Sequence, residues 1–436
     1  MVIAASALRA TTVEVDLPDE PALPALLPHL RPSGVWIREG RGMIGLGTAA
    51  STTAEGPGRF AALARWWESL PMVRQASAGP PAAADAPGSG PVAFTTITYS
   101  ADSQHASALI VPQLVIGSTP QGGWLSIVAA EDTDVHALLA AHGLQLEGSR
   151  LSLLSPGPVE PVPATVQRPG RQSESSYLQT VAAGLSAIED GTVEKLVLAR
   201  DLLVVAEQAL PVGPLLSRLA EEYADCWTYL VADVLGATPE MLVSVRGEEV
   251  FSRVLAGTVA HDAQAQWAHA GLLGDLKQKH EHELAVYSLV EQLNPVVETL
   301  HPQSEPRVLE LPNVYHLATD IVGRLQRQAD GALPSPLVVA EHAHPTAAVC
   351  GTPTPQADQL LAALEDLDRG PFAGPVGWID ARGNADFGIA LRGGVLEDDS
   401  TVRLFAGCGV VAGSEPESEL AETHAKLRVM LSALGA

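Results

Sequence analysis

A stretch near the carboxyl end of the chain holds residue types suited to cation binding. It reads RLFAGCGVVAGSEPESELAETHAKL over residues 403–427. Ser414, with a glutamate three residues later, forms a capping-box pattern that predicts a helix beginning near Ser414. On that helix Glu419, Glu422 and Lys426 fall at i, i+3 and i+7, so two carboxylates and an ammonium share one face. The face could hold a divalent cation, or it could be the solvated acidic face of an ordinary surface helix.

Two other residues have the chemistry of a general base and a general acid. Lys195 begins the run KLVLAR, which predicts a strand buried on both faces. A lysine there is either a strand-end residue whose head group reaches solvent, or a partly desolvated amine that acts as a base. Gly236 and Pro239 predict a tight turn that presents Glu240 beside apolar residues. That carboxyl either points to water or has a raised pKa, as a general acid requires.

A third carboxylate lies on a long helix predicted over about residues 263–293. His280, Glu281 and His282 suggest zinc, but neighbouring helix positions point apart and the spacing is not His-Glu-x-x-His. We therefore reject a zinc site. Glu281 remains a candidate single ligand for a hard cation.

Four further residues could contact a ligand. Gly257 and Thr258 lie in a predicted small-residue turn, where the glycine allows close backbone approach and the threonine offers a hydroxyl. His316 is a polar member of a strand predicted over residues 314–325. Arg392 ends the second strand of a hairpin predicted over residues 375–392, and it could bind a carboxylate through two hydrogen bonds.

The glycines before the carboxyl-terminal helix follow a short predicted strand, Val402 to Phe405. Gly407 and Gly409 should therefore let the backbone turn tightly against a ligand. Together with the carboxylates, they indicate a small-molecule site at this point of the fold.

The totals of the chain exclude some partners. Its 436 residues carry a formal net charge of −25, which repels polyanions and argues against nucleic acid. No run approaches the roughly 18 apolar residues of a membrane span, and the first residues lack a secretory signal, so we expect a cytoplasmic protein. Three widely separated cysteines favour neither disulfides nor a thiolate metal site.

A proline-rich crossing at residues 155–171 divides the chain. Residues 1–170 form a less distinctive amino-terminal part, and residues 171–436 carry every candidate site residue. We expect one structural unit overall.

Nine segments in order resemble the chorismate-utilising enzyme family. They are KLVLAR at 195, GATPE at 236, LAGT at 255, KQKHEHEL at 277, YHLAT at 315, HPTAAVCGTP at 344, RGPFAGPVGW at 369, LR at 391 and AGCGVVAGSEPESELAETH at 406. The resemblance covers residues 175–436. It implies an α+β fold in which two central β-sheets pack together between outer helices, with an internal duplication.

The resemblance also implies chorismate as the substrate and Mg²⁺ as the cofactor. Carried over by position, Lys195 would activate water for attack at C2, and Glu240 would protonate the departing C4 hydroxyl. Three carboxylates would serve the metal, and seven residues would line the substrate. The metal set is Glu281, Glu419 and Glu422, and the substrate set is Gly257, Thr258, His316, Arg392, Gly407, Gly409 and Lys426.

Lys195 and Phe372 distinguish the branches of the family. Members that use ammonia, the anthranilate and aminodeoxychorismate synthases, typically lack the lysine, so water is the expected nucleophile. Phe372 stands where salicylate-forming members commonly have tyrosine, which favours isochorismate synthase over salicylate synthase. A non-catalytic chorismate-binding homologue is a further alternative, which the retained Lys195, Glu240, Glu281 and Glu422 disfavour. We expect a monomer with no obligate glutaminase partner.

Two departures from the family pattern concern loop geometry. Val259-Ala-His follows the LAGT segment in place of a common Arg-Pro-Arg-Gly, and Gln278 replaces a frequent aspartate.

Overall fold

The computed structural model describes residues 8–18, 22–74, 86–260, 271–310 and 314–436. Its strands are β1 Leu8–Val15, β2 Pro32–Arg38, β3 Arg41–Leu46, β4 Ala50–Ala54, β5 Met72–Arg74, β6 Val92–Thr96, β7 Ser107–Val111, β8 Leu114–Thr119, β9 Gly122–Ala129, β10 Leu144–Glu147, β11 Arg150–Leu153, β12 Thr165–Pro169, β13 Lys195–Ala206, β14 Trp227–Val231, β15 Val234–Thr238, β16 Met241–Arg246, β17 Glu249–Ala260, β18 Val297–Pro302, β19 Arg307–Glu310, β20 Val314–Leu325, β21 Gly351–Thr352, β22 Pro375–Asp380, β23 Ala385–Ile389, β24 Gly393–Leu396 and β25 Thr401–Val411.

The helices lie between and after these strands. They are α1 Ala22–Leu26, α2 Arg59–Ser69, α3 Val135–Ala141, α4 Glu174–Glu189, α5 Val212–Glu222, α6 Leu276–Leu293, α7 Pro336–Ala343, α8 Thr354–Leu364 and α9 Pro416–Leu434. Within the described residues, no helix is both long and apolar enough to cross a membrane.

Two large, almost wholly antiparallel sheets form the centre of the molecule. The first has the order β12-β13-β25-β24-β15-β14-β2-β3-β8-β9-β1-β5, and β21 also pairs with β13. The second has the order β18-β20-β17-β16-β23-β22-β6-β7-β4, and β19 also pairs with β20. β2 pairs with β14 and β6 with β22, so strands from both sides of residue 170 share each sheet. The architecture is the expected α+β class.

The sheets pack face to face through large aromatic side chains. Trp36 and Tyr229 from the first sheet and Phe94 and Trp378 from the second belong to one buried cluster. A second cluster buries α1, α5 and α9 against the first sheet, and a third buries α2 and α7 with strands of both sheets. The central sheets and outer helices therefore match the layer order expected from the sequence.

The carboxyl-terminal helix begins later than the capping-box pattern predicts. α9 starts at Pro416, and its cap residue Glu415 makes no capping hydrogen bond through its side chain. The Ser414 hydroxyl instead accepts a hydrogen bond from the Val411 amide at 3.2 Å. The serine thus closes the turn after β25 and does not cap the helix.

Three predicted glycine turns are strand interiors in the structure. Gly407 and Gly409 lie within β25, and Gly236 lies within β15. Gly257 forms a β-bulge in β17, where the register to β20 shifts between residues 256 and 258. Close packing explains the glycines: a Cβ at Gly407 would lie 2.7 Å from the Leu198 carbonyl oxygen. Pairing with neighbouring strands therefore places these glycines in strands, where the local sequence predicted turns.

Other predicted boundaries need small corrections. β23 ends at Ile389, so Arg392 lies beyond the strand with φ at 50°. The predicted long helix is interrupted at Asp275: residues 271–274 are helical, α6 begins at Leu276, and residues 263–270 of the prediction lie outside the described residues. β13 begins at Lys195 and β20 spans residues 314–325, as predicted.

Candidate active site

A cleft opens between the two sheets beside α6 and α9, with about 870 Å³ of space that includes solvent at its mouth. Many of the residues selected from the sequence line it. They are Glu240, Glu281, His316, Arg392, Gly407, Gly409, Glu419, Glu422 and Lys426. Thr258 pairs with His316 through the backbone, but its side chain lies outside the described residues. The fold thus gathers residues that are far apart in sequence around one cavity.

Lys195 lies behind the cleft wall and is joined to Glu281. Its Nζ lies 3.0 Å from Oε1 of Glu281, and its side chain is only 1% exposed. Gly409 makes room for this pair, because a Cβ there would lie 2.4 Å from the Glu281 Oε1 and 3.0 Å from the Lys195 Cε. The amine is therefore buried and held by a carboxylate, and it does not extend to solvent as a strand-end lysine would.

Glu240 occupies the break between β15 and β16 and is 5% exposed. Its backbone is fixed on both sides, because its amide donates to Thr238 Oγ1 at 3.3 Å and its carbonyl accepts from the Ile389 amide at 3.1 Å. Burial raises the pKa of this carboxyl to about 7, and a hydrogen bond from the Leu255 backbone opposes the rise. The charge of Lys195 also opposes the rise. A carboxyl of this kind can donate a proton near neutral pH.

The α9 carboxylates meet at the other side of the cleft. Among the described residues, one group of possible metal ligands lies within 4.8 Å of each other: Cys408, Glu419 and Glu422. Burial raises the pKa of the Cys408 thiol well above its usual value, so it stays protonated and is a poor ligand for a hard cation. Glu281 lies outside this group and faces the same cleft from α6. The two α9 carboxylates are thus the stronger part of the predicted metal set.

Lys426 is fixed between α9 and β25. Its Nζ donates to the Gly407 carbonyl at 2.8 Å and lies 2.5 Å from Glu422 Oε1. The contact with Glu422 follows from the i, i+4 spacing on α9, and the contact with Gly407 follows from the packing of α9 on β25. The cleft therefore keeps an ammonium beside its carboxylates.

His316 and Arg392 form a hydrogen-bonded pair on the wall. Nη2 of Arg392 lies 2.9 Å from Nε2 of His316. Burial, and then the Arg392 charge, lower the pKa of His316 well below its usual value, so its neutral ring accepts a hydrogen bond from the guanidinium. Gly257 borders this pair: its backbone bonds to His316, its φ is 78°, and a Cβ built on it would lie 2.9 Å from the Gln278 carbonyl oxygen. The pair presents a positive, hydrogen-bonding group to the cavity.

Sequence reasoning did not predict two contacts in and near the wall. Phe372 stacks on Phe405, with ring centroids 5.1 Å apart, and both rings line the cleft. His282 lies 3.1 Å from the Ala256 carbonyl through Nδ1 and 2.7 Å from Thr319 Oγ1 through Nε2, so it ties α6 to the second sheet. No local pattern marks these contacts, since each joins residues of different elements.

The chain is similar in sequence and fold to known proteins. A family model described as "Chorismate binding enzyme" matches residues 36–435. Isochorismate synthase DhbC of Bacillus subtilis is 38% identical over 274 residues, which are 59% of this chain and 67% of that protein. Isochorismate synthase MenF of the same organism is 29% identical over 363 residues, or 79% of this chain and 75% of the relative. The crystal structure of DhbC from Bacillus anthracis is similar with a TM-score of 0.71 at 28% identity, covering 94% and 98% of the two chains.

Proposed function

The chain belongs to the family of chorismate-binding enzymes, and on that premise we propose that it is an isochorismate synthase. This isomerase converts chorismate to isochorismate. The observation that carries the proposal is a protonatable Glu240 on the cleft wall, with buried Lys195 behind it, paired with the Glu281 that lines the same cleft. The reaction needs one group that takes a proton and one that gives a proton near neutral pH.

Lys195 and Glu240 divide the proton transfers. The neutral amine form of Lys195 accepts a proton from a water molecule as the water oxygen bonds to C2 of the substrate. The ring double bonds shift, and the C4–O bond breaks as Glu240 donates its proton to the leaving hydroxyl. One water enters and one leaves, so the product is an isomer and the reaction is reversible. The pKa of Glu240, about 7, keeps much of this carboxyl protonated at neutral pH.

The cleft supplies cations for a substrate with two carboxylates. The chain as a whole carries a net charge of −25, so local positive groups must offset it. Arg392, aligned by His316, and Lys426 are such groups, and the guanidinium can bind a carboxylate through two hydrogen bonds. Gly257, Thr258, Gly407 and Gly409 complete the proposed substrate-binding set.

Carboxylate oxygens are the ligands that Mg²⁺ prefers, and the acidic side of the cleft fits it. Glu419 and Glu422 would hold the ion from α9, and Glu281 would approach from α6. When bound, Mg²⁺ supplies positive charge for the ring carboxylate of chorismate. The protein's part is to hold these carboxylates in place, and the Lys426 ion pair does so for Glu422.

Water rather than ammonia is the proposed nucleophile, as Lys195 indicates. An enzyme that uses water needs no glutaminase partner. The proposal also includes a cytoplasmic monomer, as expected from the sequence. Salicylate synthase is the second candidate, because it shares the first reaction. Phe372 disfavours it, since its ring stacks on Phe405 and offers no hydroxyl to the enolpyruvyl carboxylate.

Product analysis tests the proposal. Purified protein with chorismate and Mg²⁺ should yield an equilibrium mixture of chorismate and isochorismate by chromatography, with little pyruvate in a coupled lactate dehydrogenase assay. Stoichiometric salicylate and pyruvate would move the protein to the salicylate branch. No consumption of chorismate would support the non-catalytic alternative.

A further inference from the structure

The strand that begins with Lys195 lacks a strand neighbour along part of one edge. On the other edge, β13 pairs with β25 from residue 195 to 205. On this edge it pairs with β21 at residues 195–196 and with β12 at residues 202–206. In the described part of the chain, no strand pairs with residues 197–201 here. Buried backbone groups in such a gap need other partners.

An ion pair from the segment after α8 fills this gap. Arg369 donates to the Val197 carbonyl through Nη2 at 2.6 Å, and Glu365 Oε1 accepts from the Ala199 amide at 2.8 Å. Arg369 also donates to both carboxylate oxygens of Glu365, at 2.8 and 2.6 Å. The two side chains are only 4% and 3% exposed. The pair thus supplies the donor and acceptor that a neighbouring strand would supply.

The same pair reaches a second wall of the cleft. Nη1 of Arg369 donates to the Val349 carbonyl at 2.8 Å, and its guanidinium lies 4.6 Å from the ring centroid of Tyr99. Val197, Ala199 and Val349 all line the cleft. One guanidinium therefore fixes the wall formed by β13 and the wall formed by the loop before β21.

We propose that Glu365 and Arg369 are positioning residues that hold β13, and with it Lys195, in register for proton transfer. The inference rests on the proposed function for its link to catalysis. Ion pairs buried in this way leave costly unpaired groups when one member is removed. A displacement of about 1 Å at a reacting group can lower a rate by about 100-fold.

Substitutions of Glu365 test the proposal by two independent readouts. Glu365→Ala should lower kcat by about 100-fold with a smaller change in KM, because Arg392, His316 and Lys426 lie on other elements. Glu365→Gln keeps an acceptor for the Ala199 amide and should retain more activity. Residue-resolved hydrogen exchange should show the Ala199 amide exchanging about tenfold faster or more in the alanine variant, while the remaining core stays protected.

Asp201→Asn is the matched control on the same strand. Its buried carboxylate accepts from the Gln172 amide at 2.8 Å and the Arg171 amide at 3.0 Å, away from the cleft. It should lower the melting temperature and leave kcat and exchange at Ala199 unchanged.

Three results would overturn the proposal. These are unchanged kcat in folded Glu365→Ala, unchanged exchange at Ala199, or an equal loss of kcat in Asp201→Asn. If Glu365→Ala does not fold, Glu365→Gln and Arg369→Lys must each lower kcat more than they change KM. Wild-type protein that makes no isochorismate would refute the proposed function instead, and hydrogen exchange would still decide whether the pair holds the strand.

Discussion

Replacing Glu240 with glutamine should change how stability depends on pH as well as remove turnover. Burial raises the pKa of this carboxyl from 4.5 to about 7 in the folded protein. Between these values the folded state holds a proton that the unfolded chain has released. Stability from this group is therefore full below pH 4.5 and is lost as pH rises to about 7.

The size of this effect follows from the two pKa values. A change from 4.5 to about 7 corresponds to about 3 kcal/mol, because one pH unit is worth about 1.4 kcal/mol. Glutamine has nearly the same shape and does not ionise. The variant should therefore gain about 3 kcal/mol relative to wild type as the pH is raised across this window.

The measurement is denaturant unfolding of both proteins at several pH values from about 4.5 to 8. We expect the difference in unfolding free energy to change steadily up to about pH 7 and then level off. Equal pH dependence in the two proteins would refute the reasoning, since it would mean that the carboxyl is not buried in its protonated form.

Catalysis by the same residue gives a second reading of its protonation. As the proton donor, Glu240 must carry its proton, so kcat for chorismate should fall above about pH 7. Glu240→Gln should lower kcat by ~10²- to 10⁴-fold. A wild-type kcat that stays level to pH 9 would show that another group donates the proton.

Three further predictions concern the rest of the site. Lys195→Ala should lower kcat by ~10²- to 10⁴-fold while chorismate binding, measured by calorimetry, survives; a wild-type rate would disprove its role as the base. Gly409→Ala should reduce turnover about 100-fold, because the new Cβ would displace Glu281 from Lys195, whereas an unchanged rate would show that the ion pair can shift freely. Excess EDTA should abolish turnover and Mg²⁺ should restore it, because Glu419 and Glu422 are proposed to hold the ion. Glu422→Gln should raise the Mg²⁺ concentration that turnover needs. Full activity in EDTA would contradict the metal assignment.

Local sequence patterns predicted several of the elements that carry the site. The apolar run after Lys195 predicted a buried strand with that residue at its start, and β13 begins there. The hairpin of β22 and β23 followed from alternating residues around a glycine turn. The spacing of Glu419, Glu422 and Lys426 placed them on one face of α9, and all three line the cleft. Period and turn chemistry are local properties, so they can be read from the chain directly.

The conformation of the glycine segments depended on tertiary structure. Gly407 and Gly409 suggested a turn, yet both lie within β25 because β13 pairs along them. Their small size is needed where Leu198 and the Lys195–Glu281 pair approach the strand. A glycine allows both a turn and a close contact, and only the neighbouring strand decides between them.

The chemistry of the site also depended on contacts between distant elements. The sequence left Lys195 either as a solvent-reaching residue or as a buried amine, and α6 decided this by bringing Glu281 to 3.0 Å. The pKa of Glu240 required its burial, and the pairing of His316 with Arg392 required β20 and the segment after β23 to meet at the cleft. Sequence thus determined which residues could act and which elements they occupy. Their burial and partners were decided by the packing of the sheets, because desolvation and ion pairing depend on atoms that are close only in the folded chain.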